Sequence, residues 1–137
     1  MTAYITPTES AGRALVMRGM DRPVTMLNLL RFRAVADYSG TPELSPSAQI
    51  SGVAAFQLYI DHTMPFLKDS GGELIYMGRG GAWFIGPEAE RWDLAMLVRQ
   101  SSIASFIAFA SNTAYTVGLA HRTAAVEESR LLPMQDA

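Results

Sequence analysis

The sequence predicts an α+β domain in which one antiparallel sheet carries helices on a single face. Three observations predict it. The periodic segments run helix, strand, helix, strand, strand, helix, strand. Both alternating faces of the first strand, Val24–Arg33, are largely apolar, so each needs a cover. The length of 137 residues suits one domain, and 49% hydrophobic with 18% charged residues is enough to build a core.

The bulk numbers also narrow the function. A net charge of −2 gives no footprint for nucleic acid or an anionic membrane surface. The absence of cysteine excludes a disulfide framework, thiolate metal sites and a cysteine nucleophile. Met1–Met20 lacks the long apolar run of a signal peptide, and no segment has the length of a membrane span. The expectation is a single cytoplasmic domain over 1–137. Residues 1–22 form an N-terminal helical extension and 24–134 the core.

Each element has a local cause. Thr6-Pro7-Thr8-Glu9 has capping-box spacing with proline at the first helical position, so a short helix is expected as far as Gly19. Asp21-Arg22-Pro23 turns the chain into the first strand. There, Val24, Met26, Asn28, Leu30 and Phe32 share one face, and Thr25, Leu27, Leu29, Arg31 and Arg33 the other. The polar stretch 34–51 is unusually long for a loop inside a compact domain and reads as a lid or mobile connection.

Gly52–Lys68 is helical, with an inward stripe of Val53, Phe56, Ile60, Thr63 and Leu67, and Pro65 is expected to interrupt or kink it. Glu73–Gly86 is a strand in which Gly78, Gly80 and Gly81 suggest a bulge or a close approach. Arg91–Gln100 is the third strand. A helix capped by Ser101 or Ser102 runs through Ser111, a second helical stretch covers 114–125, and Glu128–Met134 is the last strand, closed by Pro133. After the extension, this is the split βαββαβ, or ferredoxin-like, order. Its first and third strands are central and one sheet face stays bare. A symmetric homodimer that closes two such faces into a barrel is the expected cover.

Met26-Leu27-Asn28-Leu29-Leu30-Arg31-Phe32, Tyr59, Gly71-Gly72, Trp92-Asp93, Phe106, Tyr115, Arg122 and Ser129-Arg130-Leu131 resemble, in order and spacing, the longer members of domain-of-unknown-function family 1330. That family lies in the dimeric α/β-barrel superfamily. The resemblance spans Val24 to Met134 and departs at Ser101-Ser102-Ile103. It implies a ferredoxin-like homodimer and fixes no activity. Relatives across the superfamily include cofactor-free monooxygenases, lactone isomerases, haem enzymes and small-molecule-binding regulatory domains, and a shared fold does not choose among them.

The candidate site follows from polar residues at positions that otherwise read as core. Asn28 carries two donors and an acceptor oxygen in an apolar strand. Asp93 interrupts the third strand, Tyr59 and His62 sit on one side of the long helix, and Arg122 is in line with Tyr115 on the last helical stretch. The expected pocket lies between sheet and helices, under the 34–51 loop. Asn28, Tyr59, Trp92, Tyr115 and Arg122 are its ligand-binding residues, and His62 or Asp93 moves a proton.

The chemistry expected there is cofactor-independent, on a small aromatic or carbonyl compound. No metal site is expected, because only His62 and His121 are present, on separate helices. The alternatives are a ligand-binding or regulatory module without catalysis, and a structural dimer in which the polar groups satisfy one another.

Overall fold

The computed structural model describes residues 3–137. Its elements are α1 (Glu9–Val16), β1 (Val24–Phe32), α2 (Gly52–Asp69), β2 (Glu73–Ala82), β3 (Arg91–Gln100), α3 (Ile103–Ala110), α4 (Thr113–Thr116), α5 (Leu119–Ala125) and β4 (Val126–Met134). The strands form one sheet in the order β2-β3-β1-β4, every neighbour antiparallel, with β1 and β3 at the centre. This is the ferredoxin-like α+β arrangement. Among the described residues no single helix is long and apolar enough to cross a membrane.

The helix starts are set by side-chain caps that satisfy otherwise orphaned N–H groups. Ser51 accepts from Ala54, Ser102 from Ser105, and Asn112 from Ala114 and Tyr115. Thr8 rather than Thr6 caps α1, accepting from Ala11 at 3.0 Å, because the chain stays extended two residues longer than the capping-box spacing implies. Pro65 does not interrupt α2. Both Pro65 and Asp61, whose carbonyl it frees, lie on the exposed side, where water takes the lost bond. The buried stripe of that helix is Ala55, Phe56, Tyr59, Thr63 and Leu67, with Val53 exposed, so the expected stripe is rotated toward Tyr59.

The period-two reading of β1 separates two environments. Val24, Met26, Leu30 and Phe32 are buried beneath the helices. Two apolar clusters form there. One contains Leu30, Phe32, Phe56, Tyr59, Met96, Tyr115 and Val126, and the other Val24, Met26 and Ile103. Asn28 falls between them along the strand.

On the opposite face, Leu27, Leu29, Ala95 and Leu97 are half-buried, and Tyr76 and Leu132, in register with Leu97 and Leu27, are exposed. In this single chain that face is apolar and bare. The irregularity in β2 falls at Ile75, ahead of the glycines, and the strand stops at Ala82. Trp83-Phe84-Ile85 becomes a hairpin tip with Phe84 fully exposed.

Candidate functional site

The helical stretch after β3 is broken into α3, α4 and α5, and the breaks bring aromatic and polar side chains together against α2. The Tyr59 and Tyr115 hydroxyls are 2.7 Å apart, both residues buried. Phe109 packs on the Tyr115 ring at 4.4 Å, and Phe56 on Tyr59 at 5.3 Å. Burial, reinforced by the neighbouring Tyr59, pushes the Tyr115 phenol far above its ordinary range, with only a partial offset from the Arg122 guanidinium. Tyr115 therefore stays a neutral phenol. The bond between the two hydroxyls uses one phenolic hydrogen, and the other hydroxyl hydrogen finds no acceptor among the described residues.

His62 holds this pair in place through the backbone. Its Nε2 lies 3.0 Å from the Ala114 carbonyl and 3.2 Å from that of Tyr115. Both partners only accept, so Nε2 carries the hydrogen and donates to them. These are carbonyls near the end of the four-residue α4, where intrahelical partners run out. The ring occupies the space that a Cβ on residue 118 would fill, so Gly118 is required by close approach.

His121, on α5, is close enough to feel His62. Burial first, and the charge of His62 second, lower its proton affinity. Its Nδ1 lies 2.7 Å from the Tyr38 hydroxyl, and the two rings meet edge to face at 5.6 Å. Burial raises the Tyr38 phenol, so neutral His121 accepts from it.

Tyr38 is the buried anchor of the 34–51 loop. The N–H of Asp37 donates to the Ala124 carbonyl at 2.9 Å, and the N–H groups of Gly52 and Arg33 pass the chain end on to Arg33 and Ala125. The loop borders a half-open depression of about 270 Å³ lined by Ala36, Tyr38, Pro46 and Ile50, among others. Asn28, Tyr59, Asp93 and Arg122 do not line it.

Arg122 points to the N-terminal segment. Its Nη1 donates to the Ile5 carbonyl at 2.8 Å. The Tyr4 carbonyl accepts from the Ser129 N–H at 3.0 Å, and the Tyr4 N–H donates to the Glu128 carboxylate at 2.6 Å. That bond, more than any other contact, lowers the Glu128 carboxyl, with Arg130 adding to it. Residues 4–5 thereby form a strap along the outer edge of β4.

Asp93 is not brought together with Asn28. Register puts Asn28 opposite Met96, on the covered face, and Asp93 one residue out of phase with it. Its Oδ2 accepts from the Phe32 N–H at 2.8 Å, just beyond the last β1–β3 pair, Leu30 with Leu94, and Arg91 approaches its Oδ1 at 3.3 Å. The carboxylate extends the ladder by one bond.

Trp92 also lies outside both apolar clusters. It is buried with the Arg130 guanidinium 5.2 Å from its ring, and Arg130 also lies 4.9 Å from the Tyr4 ring. Asn28 is half-buried, and its amide nitrogen makes a long 3.4 Å contact with its own strand at Met26. Thr63, one turn beyond Tyr59 on the buried side of α2, has a buried hydroxyl without a partner. Of the expected site residues, Tyr59, His62, Tyr115 and Arg122 gather on the helical side. Sequence reasoning missed Tyr38, although a lone tyrosine in an otherwise polar loop is the signal of an anchor.

Fold and site together define a ferredoxin-like α+β protein with an aromatic, hydroxyl-bearing cluster on the helical side of its sheet. The chain is similar over its whole length to the crystal structure of the methylated RPA0582 protein, with a TM-score of 0.88 and 29% identity over 97% of that chain. A second RPA0582 structure, described as a protein of unknown function from Rhodopseudomonas palustris, matches 99% of this chain and 98% of its own at 28% identity and a TM-score of 0.85. A dimeric protein of unknown function with a ferredoxin-like fold from Bacteroides fragilis NCTC 9343 is 9% identical. It covers 86% of this chain and 100% of its own at a TM-score of 0.51, a likeness of fold alone. No protein-family model and no curated protein matches the chain.

Proposed function

We propose that the chain acts as a homodimer of the kind found in domain-of-unknown-function family 1330, and that each subunit binds a small, largely apolar molecule bearing one oxygen acceptor. The observation that carries this reading is the Tyr59–Tyr115 pair, whose single shared hydrogen bond leaves one phenolic hydrogen free in apolar surroundings. A donor already polarised by a second hydroxyl, and screened from water, suits a carbonyl or phenolic oxygen. Asn28, in the gap between the two apolar clusters, supplies a second polar contact.

Any chemistry at this site is cofactor-independent and monooxygenase- or isomerase-like, on a small aromatic or carbonyl compound. The two phenol hydroxyls polarise the oxygen, and His62 acts by positioning Tyr115. The bare apolar sheet face supports the dimer, since a monomer seldom leaves such a face to water.

The test is to titrate a panel of small aromatic and enolisable carbonyl compounds into the wild type and into Tyr59→Phe, Tyr115→Phe and Asn28→Leu, scoring binding and turnover separately. Binding that weakens about tenfold in both Phe variants, worth about 1.4 kcal/mol, supports the site. Unchanged binding in all three folded variants overturns it. A second reading, a structural dimer, draws on the backbone bonds that His62, Arg122 and Asp93 make. That reading expects no compound to bind at all, and Asn28→Leu to be more stable than the wild type.

A further inference from the structure

A second cavity lies at the opposite end of the molecule, where β1 begins, and the Tyr59–Tyr115 site contributes nothing to it. It measures about 120 Å³ and is lined by Arg22, Thr25, Arg99, Met134, Gln135 and Asp136, among others. Register builds it. Thr25 pairs with Arg99 on one side and with Met134 on the other, so one row across three strands forms the floor. Arg22 enters from the turn before β1, and that turn is fixed because the first N–H groups of α3, from Ile103 and Ala104, donate to the carbonyls of Arg22 and Met20, both at 2.9 Å. Arg18 adds a third guanidinium nearby, its Nη1 donating to the Pro133 carbonyl at 2.7 Å.

The charges here are not matched from within the chain. Among the described residues, neither Arg22 nor Arg99 has a carboxylate within the 4.0 Å of an ion pair. Asp136 lines the same cavity and reaches neither of them, and Glu73, in register with Arg99, does not reach it either. The Gln135 side-chain nitrogen is buried without an acceptor. Two guanidiniums and a buried amide donor around one small space offer hydrogens and positive charge. The missing partner therefore accepts hydrogen bonds and carries negative charge.

We propose that this cavity binds a small oxyanion, the carboxylate or phosphate group of a soluble ligand, held between Arg22 and Arg99 with the Gln135 amide as third donor. A cation there meets two exposed guanidiniums against the single Asp136 carboxylate, and a neutral apolar molecule would leave all three donors unanswered.

The test is calorimetric titration of the full chain with inorganic phosphate and, separately, with acetate, each at constant ionic strength. The variants are Arg22→Gln, Arg99→Gln and Gln135→Leu, with Arg13→Gln as a control whose guanidinium pairs with Glu9 on exposed α1. Circular dichroism checks that every variant is folded. Saturable binding of one anion per chain is expected, weakened at least tenfold in each cavity-arginine variant, less in Gln135→Leu, and unchanged in the control. Preference for phosphate identifies a phosphoryl ligand, and preference for acetate a carboxylate. No saturable binding of either probe, or equal weakening in Arg13→Gln, overturns the proposal. So does occupation of the cavity by a second copy of the chain, which would show as Arg99→Gln dissociating a dimer that neither anion affects.

Discussion

The two faces of the sheet handle polar groups differently, and β1 shows both. On the covered face Asn28 sits among buried apolar residues and makes one long bond to its own strand. On the other side of the same strand Arg31 faces Glu127 at 3.5 Å, beyond it Arg130 bonds Glu128, and Asp93 finishes the β1 ladder. Charged groups along this stretch meet one another or the backbone, although the Arg31 and Arg33 Nε atoms are buried without a hydrogen-bond partner and Arg99 meets no carboxylate. On the covered face the unused capacity belongs to neutral groups, the Thr63 hydroxyl and the Gln100 amide oxygen, so the two faces differ in the charge of what they leave unpaired.

Replacing neighbours on opposite faces sharpens this contrast most. Leu30→Ala opens a hole in a fully buried position and is expected to cost about 2–5 kcal/mol in urea denaturation, independent of protein concentration. Leu29→Ala, next to it on the bare face, is expected to cost less in dilute protein and more in concentrated protein if a second copy closes that face. A Leu29→Ala cost that does not change with concentration would break the dimer half of the comparison.

Asp93→Ala comes next. It strands the Phe32 N–H and is expected to cost about 1–3 kcal/mol while leaving ligand affinity untouched. Loss of binding in that variant would return Asp93 to the site. Tyr115→Phe is smaller in stability, about 0.5–1.5 kcal/mol for one hydrogen bond, yet larger in ligand binding.

The smallest effect is that of pH. Folding lowers the proton affinity of His121, so the folded chain prefers it neutral. Its contribution is fully present above the unfolded value of 6.5 and is lost as pH falls through the lower folded value, where the unfolded chain takes the proton first. Protonation also removes the acceptor for Tyr38. Melting temperature is expected to decline below pH 6.5, and His121→Gln is expected to flatten that part of the profile. An unchanged slope in the variant would show that another group controls it.

Much of this was legible in the sequence. Alternation along β1 was enough to place Asn28 and Leu30 together and Leu29 opposite, and the order of periodic segments was enough for the sheet. The chain could not announce that α2 turns Tyr59 inward and Val53 outward, because the stripe is a choice between two adjacent apolar rows that only tertiary packing makes. The role of Arg122 was open in the sequence because its partner, a backbone carbonyl at residue 5, is 117 positions away and carries no side-chain signal. Asp93 misled for a similar reason. Its partner is a backbone N–H at the fraying end of a neighbouring strand, which no spacing rule encodes.

The strap at Tyr4–Ile5 has a consequence for the order of assembly. Its hydrogen bonds go to residues made 117 to 125 positions later, so residues 4–5 find their place only after α5 and β4 have been made. Until β4 docks on β1, the strap has no strand to lie against, and once it lies there it covers the sheet margin at Glu128 and Ser129. The other margin, β2, is left unpaired and almost wholly exposed along ten residues. Growth by strand addition is therefore least hindered at β2, and displacing residues 4–5 would also free the β4 margin at Ser129.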